Sequence, residues 1–74
     1  MRLAEKGSAG ERLRSARLRA GFSQVGLAKK VGMGQETVSR IELGKRLPTT
    51  LQLEAIALAL NVGMEWLLTG RKRA

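Results

Sequence analysis

Residues 22–49, FSQVGLAKKVGMGQETVSRIELGKRLPT, contain two short segments with the apolar spacing of a helix, separated by little more than the residues GMG. In the first period Leu27, Ala28 and Val31 form one apolar stripe, which is the spacing of a helix with one buried side. Gly32 is well placed to end that helix. Two short helices joined by a few residues that include glycine are the pattern of a helix-turn-helix unit.

The second helical period has two unlike sides. Val38 and Ile41 are spaced to face a core. The opposite side carries Gln35, Glu36, Ser39 and Arg40. That polar side has two interpretations. It is either a surface that reads a partner, or ordinary solvent surface with a Glu36–Arg40 ion pair worth roughly a few tenths of a kcal/mol.

Three further helical periods flank this pair. One spans about Gly10 to Ala20, and a Thr49–Gln52 capping box starts another after the pair. A last short helix covers about 64–68. With one proline, 3% aromatic residues and few runs of β-branched residues, the chain has little from which to build strands. The sequence therefore predicts a compact all-α fold of five helices.

The chain has 74 residues, enough for one domain and too few for a second core. Residues 1–9, rich in charge and small side chains, are interpreted as a flexible arm, 10–70 as the domain, and 71–74 as a basic tail. The start of the chain lacks the apolar region of a signal peptide, so a cytoplasmic location is expected. The most apolar stretch, 51–68, contains two glutamates and a glycine and is a poor membrane span.

The composition favours a polyanionic partner and argues against an enzyme. The chain has no cysteine and no histidine, which removes disulfides, the usual metal sites and the commonest general base. No catalytic residue, metal or cofactor is therefore predicted. A formal charge of +8, from 14 Lys and Arg against 6 Asp and Glu, favours nucleic acid first and an anionic membrane second. Basic residues that merely keep a small protein soluble are the remaining alternative.

The segment 22–49 resembles the helix-turn-helix of the Cro and phage-repressor family, also called the xenobiotic-response-element type. That family typically shows Ser-Gln-x-x-Leu-Ala, then Gly-Val-Ser, then a run like Ser-Arg-Ile-Glu-Asn-Gly-Lys, then Pro-Ser. This chain has SQVGLA, GMG, SRIELGK and PT, and the likeness covers roughly residues 11–70. The resemblance implies a lambda-repressor-like DNA-binding domain, most similar to a small phage Cro or to the N-terminal domain of a repressor.

In that family helix three enters the major groove, and residues near its N-terminus touch base edges. In that position the hydrogen-bonding chemistry of the major groove allows Gln35 to contact adenine, Arg40 to contact guanine and Glu36 to accept from a cytosine amino group. The implied base-reading residues are Gly34, Gln35, Glu36, Ser39 and Arg40.

Phosphate contacts are implied around this helix. Gln24, at the N-terminus of helix two, matches the family's phosphate-binding glutamine, and the free N–H groups of a helix start suit an anion. The expected phosphate contacts are Gln24, Lys45, Arg46, Arg12 and Arg14. Such contacts set position and salt dependence, not the sequence that is read.

Periodicity places two charged residues, Arg17 and Glu42, on inward edges of their helices. The family carries an Arg–Glu pair at these places, so the resemblance implies a partly buried structural ion pair that links helix one to helix three. Three residues depart from the family pattern. Leu43 stands where Asn is usual, Gly34 where Ser or Thr caps helix three, and Gly63 weakens the cap of helix five.

Helix four is apolar on more sides than one core requires, and a second apolar side in so small a protein needs a cover. Members of the family bind as two-fold dimers through this region. A homodimer contact through Leu58 and Met64 is therefore expected, against the alternative that Leu51 and Leu58 are scattered exposed leucines.

The expected function is that of a sequence-specific transcriptional regulator, a repressor that binds a palindromic operator in double-stranded DNA as a homodimer. A restriction-modification controller and an antitoxin use the same scaffold and remain alternatives. A non-specific basic module for an anionic membrane or protein is less favoured, because the charges are spread over several helices.

Overall fold

The computed structural model describes residues 7–71, and within them the chain folds into five α-helices and no strand. In chain order the helices are α1 Ala9–Arg19, α2 Gln24–Val31, α3 Gln35–Glu42, α4 Thr50–Leu60 and α5 Met64–Thr69. The all-α class and the five predicted helices are confirmed. No helix of the described part is long and apolar enough to cross a membrane.

Capping boxes start two of the helices. Ahead of α4, Thr49 and Gln52 exchange hydrogen bonds of 3.1 and 2.9 Å, as the sequence predicts. Ahead of α1, Ser8 and Glu11 make the same exchange at 3.0 and 3.2 Å, although the sequence predicts that Ser8 lies in the flexible arm. The predicted arm is therefore too long at its inner end, because Ser8 and Ala9 belong to the cap and first turn of α1.

The rest of the predicted arm, residues 1–6, and residues 72–74 of the predicted tail lie outside the described part of the chain.

The turn between α2 and α3 depends on Gly32. Its φ of 74° and ψ of 34° lie in the left-handed region, which a residue with a side chain rarely adopts. The N–H of Met33 then donates to the carbonyl of Ala28 at 2.8 Å and closes the end of α2. Because the chain turns at once, α3 begins within a few residues of the end of α2 and packs against it.

The core is built from one side of every helix. Leu27 of α2, Val38 of α3 and Ile56 of α4 are its largest fully buried side chains. The other buried apolar residues are Leu13, Ala16, Ala28, Ile41, Leu53, Ala57, Leu60, Trp66 and Leu67. α3 packs against α1 and α2, and α5 against α1 and α4, so the inner side of α3 is held while its outer side is left exposed.

Helix α1 approaches the C-terminal end of α3 at Gly10. A Cβ added there would lie 2.4 Å from the carbonyl oxygen of Glu42 and 2.6 Å from that of Ile41. These distances are far below van der Waals contact and the atoms met are backbone, so only glycine lets the two helices come this close.

Candidate nucleic-acid interface

The outer side of α3 is an exposed polar surface. Gln35, Glu36 and Arg40 are exposed and Ser39 is half-buried. Gly34, the N-cap residue, is exposed and supplies no side-chain hydrogen bond to the first turn. The structure thus brings the five predicted base-reading positions to one accessible helix, with the free N–H groups of its first turn beside them.

Two of these side chains pair with each other. Arg40 Nη2 lies 3.3 Å from Glu36 Oε2, in an i, i+4 pair whose side chains are 56% and 81% exposed. An ion pair so open to water contributes about 0–1 kcal/mol. Both side chains can therefore exchange this contact for contacts with a partner at little cost.

The inner end of α3 is fixed by the predicted ion pair. Arg17 Nε donates to Glu42 Oε2 at 2.6 Å, and Arg17 Nη2 donates to Glu42 Oε1 at 3.1 Å. The two side chains are only 7% and 3% exposed, so the pair is buried more completely than expected. Arg17 Nη1 also donates to the carbonyl of Phe22 at 2.9 Å. This bidentate geometry satisfies both charges and locks α3 against α1.

The ion pair continues into a chain of amides that reaches the exposed side of α3. Gln24 Nε2 donates to Glu42 Oε1 at 3.0 Å, and Gln35 Nε2 lies 3.5 Å from Gln24 Oε1. The sequence does not predict this link, because contacts between residues 18 and 11 positions apart leave no periodic pattern. Its consequence is that the buried pair orients Gln24, and Gln24 in turn faces Gln35.

The other expected phosphate contacts take two different positions. Lys45 and Arg46 are exposed directly after α3, and Arg14 is exposed on α1. The N–H of Lys45 donates to the carbonyl of Arg40 at 2.9 Å, which ties the start of this basic loop to the last turn of α3. These three cations are free to approach a phosphate.

Arg12 does not fit the role expected of it. Its residue exposure is 4%, and its guanidinium donates to the carbonyls of Leu67 at 3.0 Å, Leu68 at 2.9 Å and Gly7. A guanidinium enclosed by three carbonyls does not reach a phosphate backbone. The prediction of a phosphate contact at Arg12 is therefore wrong, because the side chain turns inward to α5.

The two residues predicted to form a dimer contact differ in exposure. Leu58 is 78% exposed on α4, whereas Met64, at the start of α5, is half-buried and packs against the core. Leu51 on α4 is also 77% exposed. Trp66 belongs to the core, with 8% exposure.

A helix pair of this geometry, with a polar outer side on its second helix and basic residues around it, defines a helix-turn-helix DNA-binding domain. Residues 13–67 match the helix-turn-helix family HTH_3, and the chain belongs to that family, which is of the Cro/C1 type. The chain is a DNA-binding transcriptional regulator.

Known proteins support this assignment. The chain is 33% identical, over 63 residues, to the uncharacterised HTH-type transcriptional regulator YazB of Bacillus subtilis, covering 85% of this chain and 91% of that protein. Its fold matches the P22 c2 repressor in complex with a synthetic operator, with a TM-score of 0.85 and 31% identity, over 88% of this chain and 98% of that one.

The fold also matches the restriction-modification controller protein C.AhdI from Aeromonas hydrophila. The TM-score is 0.76 and the identity 32%, over 81% of this chain and 91% of that one.

Proposed function

We propose that this protein is a transcriptional repressor that binds a palindromic operator as a homodimer, with α3 of each copy in the major groove. The observation that carries the proposal is the division of α3 into a core-packed inner side and an exposed polar outer side. A helix used in this way needs a fixed orientation, and the buried Arg17–Glu42 pair supplies it.

The exposed side chains of α3 suit base edges. Gln35 offers a donor and an acceptor to adenine, Arg40 offers a bidentate donor to guanine, and Glu36 accepts from the amino group of cytosine. Each good bidentate contact is worth about 1–3 kcal/mol of discrimination between bases. Ser39 and Gly34, with the backbone N–H groups of the first turn, complete the reading surface.

Four residues are assigned to the phosphate backbone in this proposal. Lys45 and Arg46 border the C-terminal end of α3, Gln24 lies at the N-terminus of α2, and Arg14 is exposed on α1. Exposed cations that contact phosphates release bound counterions, so they make binding salt-dependent without selecting a sequence. The formal charge of +8 is in keeping with this role.

The proposed homodimer uses α4 and α5. Leu58, with 78% of its surface exposed, is an apolar side chain with nothing to cover it within residues 7–71, and Met64 lies at the start of the following helix. A two-fold dimer through this region would present two copies of α3 to half-sites about one helical turn apart. We expect the protein to act in the cytoplasm of a bacterial or phage-infected cell.

A restriction-modification controller is the second candidate, favoured by the likeness to C.AhdI. An antitoxin would use the same scaffold. The three roles use the same scaffold and differ in the neighbouring gene and in the operator.

The test is selection of bound sites from a random duplex library at fixed salt. We expect the wild-type protein to recover a palindrome and the Gln35→Ala/Arg40→Ala variant to lose preference at some positions of each half-site. The matched control is Lys45→Ala/Arg46→Ala, which also changes two exposed residues. It should recover the same palindrome with weaker binding at every site.

Two outcomes would contradict the proposal. If none of the three proteins enriches a motif and the α3 variant binds as well as wild type, the basic charge alone is responsible for binding. If the motif is a single half-site, and sedimentation finds a monomer with and without that DNA, the homodimer is wrong.

A further inference from the structure

Helix α5 is short, and its own sequence stabilises it only weakly. It spans Met64–Thr69, six residues, and its N-cap Gly63 provides no side-chain hydrogen bond. A helix of this length is not stable alone, so its position has to come from tertiary contacts. Because the proposed dimer contact lies on α4 and α5, the contacts that hold α5 bear on how two copies meet.

Arg12 of α1 supplies contacts of this kind. The last carbonyls of a helix lack partners within it. In α5 the carbonyl of Trp66 accepts from the N–H of Gly70 at 2.8 Å. The next two, of Leu67 and Leu68, accept from Arg12 Nε and Nη2 at 3.0 and 2.9 Å. A buried cation at a helix C-terminus is also favoured by the helix dipole.

The same helix α1 holds the reading helix. Arg17 bonds Glu42 at the end of α3, and Arg12 bonds the end of α5. The two arginines are separated by about 7.5 Å along the axis of α1, from a rise of 1.5 Å per residue. α1 packs against both α3 and α5. It therefore fixes the element that reads DNA relative to an element of the proposed dimer contact.

We infer that Arg12 is a positioning residue that sets the separation of the two half-sites. Its planar, bidentate grip on the end of α5 fixes α5 relative to α1 and, through Arg17, relative to α3. In a two-fold dimer this distance within each protomer determines how far apart the two α3 helices lie. Looser attachment of α5 would let the dimer accept several spacings and bind each of them less well. The inference rests on the proposed homodimer.

The experiment uses the palindrome recovered by selection, rebuilt with its centre shortened or lengthened by one or two base pairs, together with a duplex holding one half-site. Binding is measured for wild type, Arg12→Lys and Arg12→Met at a temperature where circular dichroism shows each protein folded. Lysine keeps the charge but lacks the planar fork, and methionine keeps much of the apolar stem but has no donor.

We expect wild type to prefer one spacing. In both Arg12 variants the affinity for that spacing should fall about tenfold, which corresponds to about 1.4 kcal/mol of binding free energy lost when α5 no longer holds the two copies at one separation. Affinity for the single half-site should change little, so the preference for one spacing flattens.

The matched control is Arg14→Met, which removes the same charge from an exposed position of α1. Arg14 is a proposed phosphate contact in each half-site, so this variant should weaken binding to all the full-site duplexes by the same factor, weaken binding to the single half-site by a smaller factor, and keep the preference for spacing.

Several outcomes would overturn the inference. Arg12 variants that keep the wild-type preference would show that Arg12 does not set the spacing. Variants that lose half-site and full-site binding equally, or that do not fold at all, would make Arg12 a structural residue only. A wild-type protein without any preference for spacing would instead contradict the proposed homodimer, so the two failures are distinguishable.

Discussion

The junction of α1 with α3 and the junction of α1 with α5 are each held by a buried arginine, yet the arginines have different partners. Arg17 meets the carboxylate of Glu42, whereas Arg12 meets backbone carbonyls of α5. A carboxylate partner is a side chain that mutation can remove, and it leaves a stranded charge behind. Carbonyl partners stay in place whatever the sequence of α5. Mutation of either Arg17 or Glu42 therefore weakens the junction of α1 with α3, whereas only mutation of Arg12 itself removes the hydrogen bonds at the junction of α1 with α5.

The largest effect should follow from breaking the α3 junction. Glu42→Ala leaves the guanidinium of Arg17 buried without its counter-charge and removes the acceptor of Gln24, so we expect a loss of about 3–5 kcal/mol in the free energy of unfolding. Urea unfolding, followed by the fluorescence of the single tryptophan, Trp66, measures it.

The control for this variant is Glu54→Ala, which removes an exposed glutamate from α4 and should shift stability by less than about 0.5 kcal/mol. Replacing Arg17 and Glu42 together by apolar residues of similar volume should recover most of the loss. A single Glu42→Ala variant as stable as the Glu54→Ala control would show that the pair contributes little.

An intermediate effect should follow from forcing α1 away from α3 while leaving the ion pair chemically intact. Gly10→Ala places a methyl group against two backbone carbonyls, so α1 has to shift, at about 1–3 kcal/mol. Thermal unfolding of the variant measures this cost.

Gly63→Ala is the matched control, since a Cβ at Gly63 meets no atom within 4 Å. Loss of a glycine N-cap should itself cost no more than a few tenths to about 1 kcal/mol. Equal melting temperatures for the two variants would mean that the close approach at Gly10 is not needed for the fold.

The smallest effect should come from the exposed pair on α3. Glu36→Ala removes a partner of Arg40 that lies in water, so stability should change by roughly 0.5 kcal/mol or less. The same urea titration applies, and binding to the selected operator should change far more than stability does. A stability loss comparable to that of Glu42→Ala would show that the outer side of α3 contributes substantially to the stability of the fold.

Sequence reasoning found most of this fold because the relevant signals are local. The apolar stripe of α2, the Thr49–Gln52 capping box and the glycine that closes α2 all lie within a few residues of what they determine. The Ser8–Glu11 box carries the same signal, but the charged and small residues around it favoured an arm.

The sequence predicts some contacts around the site and not others, and Arg17 and Arg12 illustrate the difference. Arg17 was found because its partner is another charged side chain on an inward edge, within a family pattern that covers both. Arg12 donates hydrogen bonds to backbone carbonyls 55 and 56 residues away. Because every residue has a backbone carbonyl, no residue type in the sequence indicates where this contact forms. The Gln24–Glu42 bond is not predictable for a related reason. Gln24 lies at a helix start, where a phosphate contact already accounts for it, and nothing in the sequence indicates that it also bonds a side chain 18 residues away.

The division of α3 into two sides has a consequence for how such a protein changes over generations. Glu36 and Arg40 project into water and contact each other, while Val38 and Ile41 fill the core. Exposed substitutions away from special contacts usually alter stability by no more than about 0.5 kcal/mol. In the proposed function, where the outer side of α3 reads base edges, a duplicated copy of this chain can therefore acquire a new DNA target by substitution at the outer positions, while the inner positions keep the inherited fold.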